Sequence, residues 1–329
     1  GLGDVYKRQI TGWNEWYAGV HDSPNPEQLT GGTLTPGRYL VDQFTPEYSR
    51  DGEPMKIRDG VGFGDNYYYQ MVRYIRLFKG MDAVPVADGG GAEISMRDAA
   101  ADAAEWERVS PDYTDTIGDT AFRNQISFQS EYRYQNSSGR NDLDTAKVTQ
   151  DSEFLYFHIT TVNEIVAEND EVWMNLYLDI DNDPSTGWEG YDLILNRSRD
   201  SETVSVERFV DNGWKFETIG SAEYLLGTNS LTIKAAKEVI RKAAPNADFK
   251  RFAFKWADAS VSDGDVMRFM DLGDTAPNDR FQFLYTTEKL PAAKTGGRLS
   301  WITVLCICLA AAVLLACGGV CFFARRRRK

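Results

Sequence analysis

The 329-residue chain has four cysteines, and none precedes Cys306. A disulfide framework is therefore excluded for everything upstream, whose stability must rest on a packed core. Histidine is almost missing as well. His21 and His158 are the only two, which argues against a histidine-based zinc centre or a Ser-His-Asp triad. Positive charge is scarce: 36 Lys and Arg face 49 Asp and Glu. Five of the basic residues are the last five of the chain, and no acid follows residue 298, so the preceding part holds 31 basic against 49 acidic residues, a formal charge of −18. That surface argues against nucleic acid and anionic lipid as its partners. Long apolar runs are absent before residue 299, and with them any export signal near the N-terminus. Residues 1–9 (GLGDVYKRQ) read as a non-native leader. From Ile10 the sequence opens abruptly, as expected of the C-terminal part of a longer protein.

The one long apolar run is residues 299–324, which carry no charge. At about 1.5 Å per helical residue the run reaches across a hydrocarbon core of about 30 Å. Arg325-Arg326-Arg327-Arg328-Lys329 follow as a basic tail, and positive residues stay on the cytoplasmic side. The expectation is a single-pass protein of the cell membrane, with residues 325–329 cytoplasmic and the N-terminal part extracellular. Residues 287–298 (including LPAAKTGGR) form the linker to the span.

Residues 10–80 read as strand, long loop and helix. Tyr68, Met71, Val72, Ile75 and Phe78 recur at helical spacing. Asp65 stands as the N-cap, Arg73, Arg76 and Lys79 load the C-terminal half, and Gly80 supplies the stop. One amphipathic helix in seventy residues buries too little for a domain. Residues 81–98, with Asp88-Gly89-Gly90-Gly91, are a linker. Gly60-x-Gly62-x-Gly64 follows a loop and not a strand, so no dinucleotide fingerprint is present and no organic cofactor is expected.

Residues 99–286 are strand-rich. Met174, Leu176, Leu178 and Ile180 alternate with Trp173, Asn175, Tyr177 and Asp179. Leu155, Phe157 and Ile159 alternate likewise, as do Phe252, Phe254 and Trp256, and Phe281, Phe283 and Tyr285. Turn signals separate the runs, among them Asp183-Pro184-Ser185-Thr186-Gly187 and Ser262-Asp263-Gly264. Short strands with regular turns predict a β-sandwich, with one short helix at residues 235–242. Trp256 belongs to the core face, whereas Trp173, on the face of Asn175 and Asp179, is expected to be exposed.

Two strings carry candidate chemistry. In Trp13-Asn14-Glu15-Trp16, indole faces can stack on pyranose C–H groups and the carboxylate can act as acid or base. The same residues also fit two core tryptophans with Glu15 as a cap, and the pattern leaves both readings open. Asp179-x-Asp181-x-Asp183 clusters the hard oxygen ligands that calcium takes. It departs from an EF-hand, with Pro184 at the position that wants Gly and Gly190 at the position that wants Glu. An Asp-rich turn capped by its own side chains is the competing reading.

TGWNEWYAG resembles the WNEW-x-x-G strand end of glycoside hydrolase 71/99-like TIM barrels, and FTPEYSRD (44–51) with GDNYYYQ (64–70) is similar to the tail of such a barrel. The resemblance implies that residues 10–80 are the C-terminal piece of a (β/α)8 barrel, with Glu15 catalytic at its active face and Trp13 and Trp16 beside it. A second carboxylate would come from upstream strands. WMNLYLDIDNDPSTGWEGYDLILN (173–196), with GRND (139–142), FLYFHI (154–159) and LGDTAP (272–277), resembles a family 9-like carbohydrate-binding module. That implies a sandwich binding polysaccharide or oligosaccharide by aromatic stacking, through Trp173, Trp188, Tyr191 and Trp214, with structural Ca2+ on Asp179, Asp181 and Asp183. The expected fold class is thus α/β plus all-β: the last part of a truncated (β/α)8 barrel, a β-sandwich, then one transmembrane helix. The expected function is that of a surface-anchored carbohydrate-active protein, hydrolytic only with a complete barrel. The rival expectation is a non-catalytic adhesion or structural protein with its aromatics buried.

Overall fold

The computed structural model describes residues 19–23, 37–41, 66–81, 83–88, 94–120, 123–126, 133–136 and 139–290. Near the N-terminus, β1 (Gly19–Ser23) pairs antiparallel with β2 (Gly37–Val41), Gly19 opposite Val41 and Ser23 opposite Gly37. A (β/α)8 barrel is made of parallel strands joined through helices. The barrel expectation for residues 10–80 is therefore corrected, because the strands described there form an antiparallel pair. The helix of this block runs Asn66–Lys79. It stops at Gly80, whose N–H donates to Arg76 O at 2.9 Å and whose φ is +84°, a left-handed end that glycine adopts without strain.

The expected transmembrane helix falls on residues the structure does not describe, and the described helices do not supply one in its place. The described helices are 14, 8, 4 and 4 residues long, and none is long and apolar enough to cross a membrane. Residues 299–324 lie outside the described residues.

The bulk of the chain is antiparallel β. Its strands are β3 (Tyr113–Thr114), the separate pair β4 (Arg123–Ile126) and β5 (Arg133–Asn136), then β6 (Leu143–Gln150), β7 (Phe154–Thr161), β8 (Asn175–Asp179), β9 (Leu193–Arg199) and β10 (Thr203–Phe209). They continue with β11 (Phe216–Leu226), β12 (Ser230–Ala236), β13 (Arg251–Asp258), β14 (Asp274–Ala276) and β15 (Phe283–Thr286). Eleven of these form one sheet in the order β14-β13-β8-β9-β10-β11-β12-β7-β6-β3, with β15 also on β13. The sheet curls until its ends approach. Leu143 N, at the start of β6, donates to Asp274 Oδ2 of β14 at 2.6 Å. The result is a nearly closed, barrel-like sandwich, which leaves few free edges.

The alternation sets what faces inward. Leu155, Phe157 and Ile159 of β7, Leu176 and Leu178 of β8, and Phe252, Phe254 and Trp256 of β13 meet in the interior. Tyr113 stands edge-on to Phe254, with ring centroids 5.0 Å apart. The short helix reads Lys237–Ile240, inside the predicted 235–242.

The outer face of β8 is covered too. Tyr177, Trp188, Tyr191, Ile194, Phe209 and Phe269 form a second apolar layer. All five residues of β8 are consequently buried. His158, on the outer face of β7, is covered by Trp106 of the helix Ala99–Trp106, with the two rings stacked at 4.7 Å.

Candidate cation site

The strand β8 ends at Asp179, and β9 begins just after Asp192. Between them the 180–192 segment leaves the sheet and returns. Asp192 closes its neck: its N–H donates to Leu178 O at 2.8 Å, and its Oδ2 accepts Ile180 N at 2.7 Å and Asp181 N at 3.3 Å. This brings carboxylate oxygens of Asp179, Asp181 and Asp192 within 4.8 Å of one another. Asp179 is 6 % exposed, and its Oδ1 is buried with no hydrogen-bond partner. Burial first, and then the Asp192, Asp181 and Asp183 charges, push the Asp179 carboxyl up to about 7, offset in part by the Asn182 amide. Asp192 is raised by burial and by Asp181, with the Ile180 and Asp181 amides acting the other way. Three acids this close repel unless a proton or a cation intervenes. A buried carboxylate with one orphaned oxygen, grouped with two other acids, is a fit for a hard divalent ion, which takes oxygen ligands at about 2.3–2.6 Å in the case of calcium.

Asp183, the third acid of the sequence pattern, plays a different part. Its Oδ1 accepts the Ser185 amide at 2.9 Å and the Ser185 hydroxyl at 2.6 Å, which hold its carboxyl below the usual range. It is the self-capping residue of the turn, and Asp192 takes its expected place in the cluster. The D-x-D-x-D spacing could not show this, because Asp192 lies beyond the turn. The available signal was a single acid directly before the apolar run Leu193-Ile194-Leu195.

The aromatic residues expected to bind sugar are mostly packed away. Trp173 is wholly buried; its Nε1 donates to Val166 O at 2.9 Å, and the Arg199 guanidinium lies 3.9 Å over its ring. The expectation that it shares an exposed face with Asn175 and Asp179 fails for two reasons. Met174 has φ +46°, which breaks the strand alternation, and that face is itself covered. Trp188 is 4 % exposed and Tyr191 is buried beside it. Their rings, 6.1 Å apart, sit in the outer layer with Phe209 and Phe269. Trp214 alone is half-buried, its ring edge-on to Trp188 at 4.5 Å. Trp13, Glu15 and Trp16 lie outside the described residues. Asn196, which opens an Asn-Arg-Ser sequon, is buried, with Nδ2 donating to Trp173 O and Met174 O at 3.0 Å each, so it is closed to modification in the folded chain.

A second acidic group was not anticipated. Asp115, Asp119 and Asp274 also bring oxygens within 4.8 Å. Here the environment is different. Asp274 is tied to Leu143 N at 2.6 Å and Thr275 N at 2.7 Å, and burial raises it to about 8. The fully buried Lys255 lies close by, donating to Pro277 O and Phe281 O. Burial lowers its ammonium to about 7, and the charges of Asp115, Asp279 and Asp274 oppose that fall. This group thus has a buried lysine beside it.

No family model matches the chain, and neither the curated proteins nor the solved structures contain a significant match to it.

Proposed function

We propose that the β-sandwich is a non-catalytic recognition or adhesion module completed by a structural calcium ion on Asp179, Asp181 and Asp192. The orphaned, interior Oδ1 of Asp179 carries this reading. The ion would neutralise the three carboxylates and join the end of β8 to the start of β9. Turnover is disfavoured because the buried acids act as anchors: Asp192 and Asp274 each hold two backbone amides. Calcium sites of extracellular modules bind at about 10⁻⁴–10⁻³ M, so the reading suits an extracellular location.

The test is thermal unfolding of the full chain in chelator and in calcium. At about 100 times its dissociation constant, calcium adds about 2.7 kcal/mol of stability. Asp181→Asn, at an exposed position, should remove that increment while leaving the midpoint in chelator nearly unchanged. Equal midpoints in chelator and calcium would contradict the proposal.

A second reading, oligosaccharide recognition, is favoured by Trp214. Among the described residues of the expected set it is the one ring that retains partial exposure, and Gly264, at φ +80°, lets the neighbouring loop pass against it. The stacking surface would be that single ring. Calorimetric titration with oligosaccharides, compared between the wild type and Trp214→Ala, tests it, and identical heats would remove it.

A further inference from the structure

We propose that the cation acts as a latch: by closing the neck of the 180–192 loop it seats Trp188 in the outer aromatic layer. The inference rests on the calcium reading above and adds a consequence that reading does not require. The independent sign of a ligand is the Asp179 carboxylate, more than nine-tenths buried, whose Oδ1 has no hydrogen-bond partner and which brings an oxygen within 4.8 Å of those of Asp181 and Asp192.

The loop is built so that its neck controls its tip. Thr186 Oγ1 lies 3.2 Å from both carboxylate oxygens of Asp181, 2.9 Å from Asp183 O and 3.4 Å from Asp192 Oδ1. It therefore ties the descending arm to the same acids that would hold the ion. Directly after it, Gly187 and Gly190 take φ +60° and +90°. Across Glu189-Gly190, Trp188 and Tyr191 exchange both N–H···O bonds at 2.9 Å. The Trp188 ring then enters the layer of Tyr177, Phe209 and Trp214, with Nε1 donating to Gly264 O at 3.3 Å. Three further contacts reach the segment, Asn182 Nδ2 donating to Arg251 O at 3.0 Å, Asn212 Nδ2 donating to Ser185 O at 3.3 Å and the Glu189–Arg280 ion pair at 2.7 Å, while Asp183, Pro184 and Ser185 are exposed. With the ion removed, repulsion among the three carboxylates acts at the neck, and the tip loses the frame that positions the indole.

The experiment uses the full chain stripped with chelator and titrated with calcium chloride. Three signals are followed: heat of binding, tryptophan emission, and cleavage by a glutamate-specific protease at the exposed Glu189. Calcium is expected to change the emission, and the change should be lost in Trp188→Phe. Cleavage at Glu189 should slow by about tenfold or more, since it tracks the open population. Asp181→Asn should abolish both responses, and the double variant Asp115→Asn/Asp119→Asn should keep them. The wild-type cleavage rate needs no variant to fold. If calcium binds with heat yet leaves emission and Glu189 cleavage unchanged, the latch is overturned and the structural site stands. If no heat and no midpoint shift appear, both are overturned.

Discussion

His158 shows how one side chain fixes an acid limit for the fold. It is 4 % exposed, stacked on Trp106, with Nδ1 2.8 Å from Thr232 Oγ1. Burial, assisted by the Lys147 charge, lowers its pKa from 6.5 to about 3. Between those values the unfolded chain binds a proton that the folded chain does not. Stability contributed by the neutral imidazole is therefore complete above pH 6.5 and is lost as pH falls toward 3. The limiting slope is about 1.4 kcal/mol per pH unit. Because the raised carboxyls of Asp179 and Asp274 titrate in the opposite sense, the effect is read as a difference: the unfolding free energy of the wild type minus that of His158→Gln should fall with acidification across that range. An unchanged slope in the variant would show that the proton is taken up elsewhere. The alternation of Leu155, Phe157 and Ile159 puts His158 on the opposite face of its strand. It could not place Trp106, whose helix covers that face from a distant part of the chain.

At the scale of the element, the 180–192 loop depends on glycine. A Cβ on Gly187 would stand 1.8 Å from Tyr191 O, and the residue has φ +60°. Gly187→Ala should break the Trp188–Tyr191 pairing and cost about 1–3 kcal/mol, measured by chemical unfolding; a variant as stable as the wild type would contradict the geometry. The strands show what periodicity can and cannot carry. Leu176, Leu178, Phe252 and Phe254 face the interior as their alternation requires. The same alternation put Tyr177 on the other face, where it is equally buried under Trp188 and Phe269. Period-2 patterning assigns residues to faces and says nothing about a second layer laid over one of them. In a strand buried on both sides, a polar residue such as Asn175 persists because it has a hydrogen-bond partner, which makes it resemble a residue of a solvent face. Asn175 Nδ2, for example, donates to Asn196 O at 3.0 Å.

At the scale of the molecule, the strand-rich character of residues 99–286 was legible from turn spacing. The barrel-tail reading came from a short resemblance near the N-terminus, and local motif likeness does not specify strand direction: the pairing of Gly19–Ser23 with Gly37–Val41 is antiparallel. Two of the three acids of the site were legible as Asp179 and Asp181. The third, Asp192, becomes a neighbour only when β8 and β9 pair, Leu178 opposite Leu193.

The central claim is that Asp179, Asp181 and Asp192 form one hard-cation site. Calorimetric titration of calcium into the chelator-treated full chain tests it directly. The account predicts saturable binding that Asp181→Asn and Asp179→Asn each weaken severely, while Asp183→Asn, at the capping residue, leaves it nearly intact. Binding that ignores Asp179 and Asp181 but follows Asp183, or no binding in the millimolar range, would contradict it.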